Sequence, residues 1–251
     1  MTAFPPLPRE PSLALPPIER AALVLDLDGT LLDIAPAPDL VVVPEGLPAT
    51  LRALRTMLRD AFGIITGRPI QQVDALLPYI PYAVAGEHGA AVRYSPEAPV
   101  EGPPLPAVPA GWLDVAKTLA AEREGVLVEP KSHGFAIHFR AAPDMEDRVR
   151  HALEQLVARQ PGQFVLLQAR KAWEIRPRAA DKGKALAALT ARPPFAGRLP
   201  VFVGDDVTDE DAIAYARSVG GFGLRVADAF GDAAGVRAWL GEAAQRAPRL
   251  A

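Results

Sequence analysis

Short apolar runs alternate with helical periodicity along most of the chain. Apolar runs at 21–25 and 61–65 have strand length, and leucines at 47, 51, 54 and 58 share one helix face. A third short strand is predicted at 82–85, and the alternation resumes with a helix at 182–190, a strand at 199–203 and a helix at 208–217. Strands that alternate with helices are typical of a parallel sheet with helices packed on it. The pattern therefore predicts an α/β fold.

The middle of the chain follows another rhythm. After a linker rich in proline and glycine at 95–111, the pattern predicts a helix (112–124), two strands (126–132 and 135–140), a helix (145–158) and two strands (164–168 and 172–176). This order is typical of a small sheet with helices on one face. We therefore expect a flexible proline-rich leader (1–20), a core domain (21–103 and 178–251) and an inserted α+β domain (104–177).

Composition narrows the function classes. The 251 residues are 49% hydrophobic and 23% charged, as in soluble globular proteins, and the net charge of −3 argues against a nucleic-acid or anionic-membrane partner. The absence of cysteine excludes a disulfide framework, a zinc–thiolate site and a cysteine nucleophile. No apolar run approaches the ~20 residues of a membrane helix. We expect a cytoplasmic protein with no membrane partner.

Candidate chemistry lies at the ends of predicted strands. Four polar clusters occur at or just after such ends: Asp26 with Asp28, Thr66-Gly67-Arg68, Lys182, and Gly204-Asp205-Asp206 with Asp209. The functional crevice of an open parallel sheet lies outside the carboxyl ends of its strands, so we expect these clusters to converge.

The residue types in these clusters suit phosphoryl transfer. Carboxylates crowded into one crevice either have sharply raised pKa values or require a cation, and oxygen-only ligands favour Mg²⁺. Lys182 and the Thr66 hydroxyl are suited to holding a phosphate. Asp26 is then the predicted nucleophile, and Asp28 the general acid and base.

Four ordered motifs carry a family resemblance. Asp26-Leu27-Asp28-Gly29-Thr30, Thr66, Lys182 and Gly204-Asp205-Asp206 resemble the motifs of haloacid-dehalogenase-superfamily phosphatases. More narrowly, G-D-D-V-T-D-E-D (204–211), A-G-E-H-G-A (85–90) and W-E-I-R-P-R-A-A-D-K-G-K-A-L (173–186) resemble the trehalose-6-phosphate phosphatase family. The resemblance extends from about residue 20 to residue 225. It implies a Rossmann-like parallel-sheet core of the haloacid-dehalogenase type with an inserted α+β cap domain, and hydrolysis of trehalose 6-phosphate.

The resemblance also implies site roles. It implies that Asp26, the backbone carbonyl of Asp28 and Asp205 bind Mg²⁺, and that Asp206 supports the metal shell. Asp209 is open between the same supporting role and a helix N-terminal role. Thr66 and Lys182 would hold the phosphate, and Gly67 and Arg68, which otherwise form only a strand-to-helix turn, are assigned to substrate binding. In the cap, sugar hydroxyls would bind to Glu129, Lys131, Ser132 and Glu174.

The alternation of side chains in the predicted cap strands agrees in part with these sugar-binding roles. Glu129 and Lys131 share one strand face, whereas Phe135, Ile137 and Phe139 would face the cap's own core and His138 the opposite side.

Several alternatives stay open. The nearest keeps the chemistry and changes the substrate, to sucrose 6-phosphate or mannosyl-3-phosphoglycerate. A phosphomutase, a dehalogenase on the same fold and a non-catalytic sugar-phosphate-binding regulator are the others. The favoured small-molecule partner, trehalose 6-phosphate, would link the protein functionally to a trehalose-6-phosphate synthase.

Overall fold

The computed structural model describes residues 2–35, 40–169 and 171–246. The chain divides into two compact units, the first formed by Met1–Glu101 with Asp181–Ala251 and the second by Gly102–Ala180. The bounds predicted from the sequence for the inserted domain are 104–177.

The helices and strands of both units, in chain order, are β1 (Ala21–Leu25), α1 (Leu47–Met57), β2 (Phe62–Ile65), α2 (Ile70–Leu76), β3 (Ala83–Gly86), β4 (Ala91–Arg93), α3 (Trp112–Glu122), β5 (Leu127–Pro130), β6 (Phe135–His138), α4 (Glu146–Ala158), β7 (Phe164–Ala169), β8 (Ala172–Pro177), α5 (Lys182–Thr190), β9 (Leu199–Gly204), α6 (Glu210–Ser218), β10 (Phe222–Arg225), α7 (Val226–Ala229) and α8 (Ala233–Gln245). Short 3-10 helices occur at Ile18–Arg20, Glu87–Gly89, Pro143–Met145 and Val207–Asp209. Strands β4 and β10 and helices α7 and α8 were not among the predicted elements.

The first unit is built on a six-stranded sheet in the order β10-β9-β1-β2-β3-β4. All neighbouring strands are parallel except β3 and β4, which are antiparallel. Every residue of β1 is buried, as expected for a strand covered on both faces. Helix α1 packs against α8 and α5 against α6, and their buried side chains share one core with the strands. The predicted α/β fold with a parallel-sheet core is confirmed.

The second unit is a four-stranded antiparallel sheet in the order β5-β6-β8-β7. Phe135, Ile137 and Phe139 lie with α3 and α4 side chains in a separate apolar core, as predicted from their alternation. Because neighbouring residues of a strand point to opposite faces, Glu129, His138 and Glu174 lie on the other face of the sheet.

The N-terminal segment differs from the expected flexible leader. Phe4, Leu7 and Ile18 are buried in the core of the first unit. The Phe4 ring stacks on Trp239 with ring centroids 5.1 Å apart, and the Trp239 indole N–H donates to the carbonyl oxygen of Pro5 at 3.0 Å. The described part of this proline-rich segment forms neither an α-helix nor a strand, yet its apolar side chains pack into the core.

Among the residues that the structure describes, no helix is both long and apolar enough to cross a membrane.

The packing of Phe4 can be tested by truncation. Phe4→Ala removes a ring that is 6% exposed, so we expect the free energy of unfolding to fall by about 3 kcal/mol. Urea denaturation followed by circular dichroism measures the change. Val42→Ala, at a side chain that is 75% exposed, is the control and should stay within about 0.5 kcal/mol of the parent. A Phe4→Ala protein as stable as the control would show that the segment adds nothing to the core.

Candidate active site

Three predicted site residues follow directly after three adjacent strands. Asp26 follows β1, Thr66 follows β2 and Asp205 follows β9. Since β9, β1 and β2 are neighbours and parallel, their carboxyl ends meet at one edge of the sheet. The backbone N–H of Asp26 donates to the Val203 carbonyl at 2.9 Å, which continues the β1–β9 ladder to the reactive position.

Lys182 joins two buried carboxylates at this edge. Its Nζ lies 2.7 Å from Asp26 Oδ1 and 2.7 Å from Asp209 Oδ1. Lys182 is the first residue of α5, where the Asp181 side chain caps the helix by accepting from the Lys184 N–H. All three side chains are nearly inaccessible to solvent. The contacts between the ammonium and the two carboxylates therefore replace the contacts that these groups would make with water.

Burial and charge act against each other in this group. Burial raises the pKa of Asp26 well above its ordinary value; Lys182 lowers it, while Asp209 and Asp205 raise it further. Burial alone would lower the pKa of Lys182, but the two carboxylates outweigh burial and raise that pKa. The group therefore brings the carboxyl groups of Asp26, Asp205 and Asp209 close to the ammonium of Lys182.

The cluster has the composition of a site for a hard cation. Oxygens of Asp26, Asp205 and Asp209 lie within 4.8 Å of one another. Oxygen donors of this kind fit Mg²⁺, which prefers carboxylates and water. A dication there would also favour the ionised form of Asp26, opposing the effect of burial.

Two glycines make room for these carboxylates. A Cβ at Gly204 would lie 2.3 Å from Asp209 Cγ, and a Cβ at Gly29 would lie 2.0 Å from Asp205 Oδ2. Gly29 also has φ of +81°, in the left-handed region that side chains avoid. The glycines of the D-L-D-G-T and G-D-D motifs are therefore required by close approach of the acidic side chains.

Asp206 and Asp209 lie in different places. Asp206 accepts from the Val207 N–H, and Asp209 Oδ2 accepts from the Asp206 N–H at 3.0 Å, which makes a reciprocal capping box. Asp209 both closes this box and contacts Lys182, whereas Asp206 is outside the carboxylate cluster found among the described residues.

Asp28 is held by an arginine. Arg68 Nε donates to Asp28 Oδ2 at 2.6 Å and Nη2 donates to Oδ1 at 2.8 Å. Thr66 is buried, its hydroxyl oxygen accepts from the Arg68 N–H at 3.2 Å, and its carbonyl accepts from the His88 N–H at 2.9 Å. Gly67 is required by His88, because a Cβ there would lie 2.8 Å from His88 Nε2.

The second unit carries its own polar group. Lys131 Nζ lies 2.6 Å from Glu174 Oε2, and both side chains are buried. Glu129 Oε2 lies 2.9 Å from His138 Nε2. Burial alone would raise the pKa of Glu129, but His138 and Lys131 outweigh it and lower that pKa. Ser132 is exposed.

Comparison with known proteins places this geometry in a family. The sequence model described as Trehalose-phosphatase matches residues 24–227, which include all four strand-end motifs. The chain belongs to the trehalose-phosphatase family. A probable trehalose-phosphate phosphatase of Sinorhizobium fredii is 37% identical over 212 residues, which cover 83% of this chain and 78% of the relative. The trehalose-6-phosphate phosphatase of Escherichia coli is 36% identical over 226 residues, 88% of this chain and 81% of the relative.

Solved structures of a trehalose-6-phosphate phosphatase domain and of a haloacid dehalogenase-like hydrolase share the fold. The C-terminal domain of a C. albicans trehalose-6-phosphate phosphatase superposes with a TM-score of 0.76 at 19% identity, covering 90% of this chain and 92% of that chain. A haloacid dehalogenase-like hydrolase from Bacteroides thetaiotaomicron superposes with a TM-score of 0.59 at 14% identity, covering 84% and 89%. At these identities the likeness concerns the fold.

Three contacts of this trehalose-phosphatase family site were not predicted. They are the bridge from Lys182 to Asp209, the pairing of Arg68 with Asp28 and the pairing of His138 with Glu129. Arg68 and Asp28 come shortly after the neighbouring parallel strands β2 and β1, which was a usable signal for the second contact, since the carboxyl ends of such strands meet. The bridge from Lys182 to Asp209 depends on how distant segments meet, and the pair of His138 with Glu129 depends on the register of β5 against β6.

Removing the bridging ammonium should destabilise the first unit. Lys182→Met leaves Asp26 and Asp209 buried without their shared partner, so we expect a loss of about 3 kcal/mol at pH 7 without added metal. Lys184→Met, on the same helix at a side chain that is 66% exposed, is the matched control and should change stability by under about 0.5 kcal/mol. Thermal and urea unfolding of both variants measure the difference. Equal stability of the two variants would contradict the role given to the bridge.

Proposed function

We propose that the protein is a Mg²⁺-dependent phosphatase that hydrolyses trehalose 6-phosphate to trehalose and phosphate through an aspartyl-phosphate on Asp26. The observation that carries the proposal is the buried carboxylate cluster bridged by Lys182 at the ends of β1 and β9. Family membership supports the reaction, and the names of the two curated relatives support the substrate.

In the first step the Asp26 carboxylate attacks the phosphorus atom. A bond forms between the carboxylate oxygen and phosphorus, and the bond from phosphorus to the sugar oxygen breaks. Asp28 donates a proton to that oxygen, so that trehalose leaves as an alcohol. The anionic phosphoryl oxygens are held by Lys182 and the Thr66 hydroxyl.

In the second step the aspartyl-phosphate is hydrolysed. Asp28, now a carboxylate, takes a proton from water as the water oxygen attacks phosphorus. The bond between phosphorus and the Asp26 oxygen breaks. This step releases inorganic phosphate and restores the free carboxylate of Asp26. Atoms and protons balance over the two steps, so Asp28 returns to its starting state.

Mg²⁺ would be held by Asp26, Asp205 and the carbonyl of Asp28, with Asp209 and Asp206 supporting them. When bound, the cation would supply positive charge that neutralises the phosphoryl oxygens. The close carboxylate oxygens of Asp26, Asp205 and Asp209 support this assignment. Asp209 has the stronger case for a role beside the cation, since the carboxylate cluster found in the described part of the chain includes Asp209 and not Asp206.

Sugar recognition is proposed for the polar group of the second unit. Carboxylates and an ammonium fixed by one another present several acceptors and donors to hydroxyl groups with little loss of side-chain freedom. The buried pair of Lys131 and Glu174, with Glu129 and Ser132 near it in sequence or register, fits this need. The proposed substrate in turn suggests a functional link to a trehalose-6-phosphate synthase, and a cytoplasmic location stays a prediction.

The proposed function is tested by phosphate release from four substrates with Mg²⁺ and with EDTA. We expect strong preference for trehalose 6-phosphate over sucrose 6-phosphate, glucose 6-phosphate and mannosyl-3-phosphoglycerate, loss of release in EDTA, and recovery when Mg²⁺ is added. Asp26→Asn is the control variant, which should fold normally yet release no phosphate because its amide is a poor nucleophile. Release from another substrate alone would change the specificity, and release unaffected by EDTA would remove the metal from the mechanism. No release from any substrate would favour a binding protein.

The assignment of the second unit is tested by Glu174→Gln. The amide keeps the shape but loses the charge that holds Lys131, so KM for trehalose 6-phosphate should rise by roughly tenfold. Hydrolysis of p-nitrophenyl phosphate, which carries no sugar, should change little. Glu154→Gln, at an α4 glutamate that pairs with Arg150, is the control and should leave both substrates unaffected. An equal loss on both substrates would contradict sugar binding by Glu174.

A further inference from the structure

Arg68 was expected to bind substrate, but its guanidinium faces a carboxylate. Both oxygens of Asp28 accept from it, at 2.6 and 2.8 Å, in the two-point geometry in which arginine pairs with carboxylates. A third contact runs from Nη1 to Gln72 Oε1 at 3.0 Å, one turn further along on α2. The Arg68 side chain is only 11% exposed, against 33% for Asp28.

From these contacts we infer that Arg68 is a positioning residue that acts on catalysis through Asp28, with Gln72 fixing Arg68 in turn. The inference rests on the proposed function, in which Asp28 moves the proton to and from the reacting oxygens. The guanidinium edge directed at Asp28 is not available to a phosphate at the same time. The planar fork also sets the plane of Asp28 in its carboxylate form.

The pair works in both states of Asp28 that the reaction requires. The carboxylate accepts from two N–H groups. When Asp28 carries a proton on one oxygen, its other oxygen remains an acceptor and keeps one bond to Arg68. Asp28 can therefore turn one oxygen to the leaving sugar oxygen, or later to water, and stay anchored by the other. In this arrangement Arg68 contributes direction, and the proton moves only between Asp28 and the reacting oxygens.

The backbone of Arg68 is held in place on the carboxyl side of β2. It follows Thr66 by two residues, and its own N–H donates to the Thr66 hydroxyl oxygen at 3.2 Å. Its carbonyl accepts from the Glu87 N–H at 3.0 Å, and a Cβ at Gly86 would lie 2.7 Å from that carbonyl. The backbone of Arg68 is thus fixed from two sides, which limits the movement of the guanidinium.

The test separates action through Asp28 from binding of phosphate. Trehalose 6-phosphate has an alkoxide leaving group that needs a proton, whereas p-nitrophenyl phosphate has a leaving group that needs little help. For Arg68→Met we expect kcat on trehalose 6-phosphate to fall by roughly tenfold to a hundredfold, part of what general acid–base catalysis contributes, and kcat on p-nitrophenyl phosphate to fall by less than about threefold. In an Asp28→Asn background, Arg68→Met should cost less than about twofold more, because the partner through which it acts is gone.

Arg93 provides a matched control in the same unit. It also makes a two-point pair with an aspartate, Asp74, at 2.6 and 2.7 Å, away from the strand-end cluster. Arg93→Met should lower stability without distinguishing the two substrates. Gln72→Leu keeps the arginine but removes its anchor, and should give a smaller loss, about twofold to fivefold, confined to trehalose 6-phosphate.

Three outcomes would overturn the inference. An equal fall in turnover of both substrates with Arg68→Met, or a full additional loss in the Asp28→Asn background, would mean that Arg68 binds phosphate or acts only on structure. Should Arg68→Met fail to fold, Gln72→Leu decides by the same comparison, and a loss on both substrates alike contradicts the inference. An unsubstituted protein that releases no phosphate from any substrate would instead refute the proposed function on which the inference rests.

Discussion

The two contacts of the Lys182 ammonium with Asp26 and Asp209 are the constraint on which the first unit depends. Buried carboxylates cost free energy unless a charge of opposite sign lies beside them, and one ammonium at 2.7 Å serves both. The surrounding backbone is arranged to make this possible. Asp26 ends the central strand, Asp209 is brought inward by a capping box, and Lys182 is placed by the cap of α5. Gly204 leaves the space that Asp209 fills.

The carboxylate cluster also bears on the charge state of Asp26. Asp26 lies close to Asp205 and Asp209, and burial raises the pKa of Asp26 against the charge state that a nucleophile needs. A cation bound beside these carboxylates would favour the ionised form of Asp26. The demands of stability and those of phosphoryl transfer therefore meet in one cluster, since a cation that neutralises the carboxylates would also neutralise a phosphate.

Much of this could be predicted from the sequence because it is local. Asp26, Thr66 and Asp205 follow apolar runs of strand length, so a parallel sheet alone is enough to place them at one edge. The alternation in β6 was enough to place Phe135 and Ile137 in the core of the second unit. The residue types at these strand ends predicted Mg²⁺ and phosphoryl transfer, and family resemblance added the substrate and the individual metal ligands.

What could not be predicted depends on contacts between distant segments or on turn geometry. Whether Asp206 or Asp209 faces Lys182 is decided by the 3-10 turn at Val207–Asp209, and the two residues look alike in the motif. Helix α8 was missed although Val236, Trp239, Leu240 and Ala243 have helical spacing. Phe4 and Leu7 have no periodicity, because prolines interrupt them, and Phe4 is buried against Trp239, a distant residue on α8.

The contact between the N-terminal segment and α8 bears on how the chain assembles. Pro5 and Trp239 are separated by 234 positions, whereas the second unit is one uninterrupted stretch, Gly102–Ala180. On the ribosome the second unit has all of its residues while the first still lacks β9, β10 and α8. The sheet that carries Asp26 therefore cannot be completed until β9, the parallel neighbour of β1, has been synthesised after the insertion. Synthesis thus completes the inserted unit before it completes the sheet edge that carries Asp26 and Asp205.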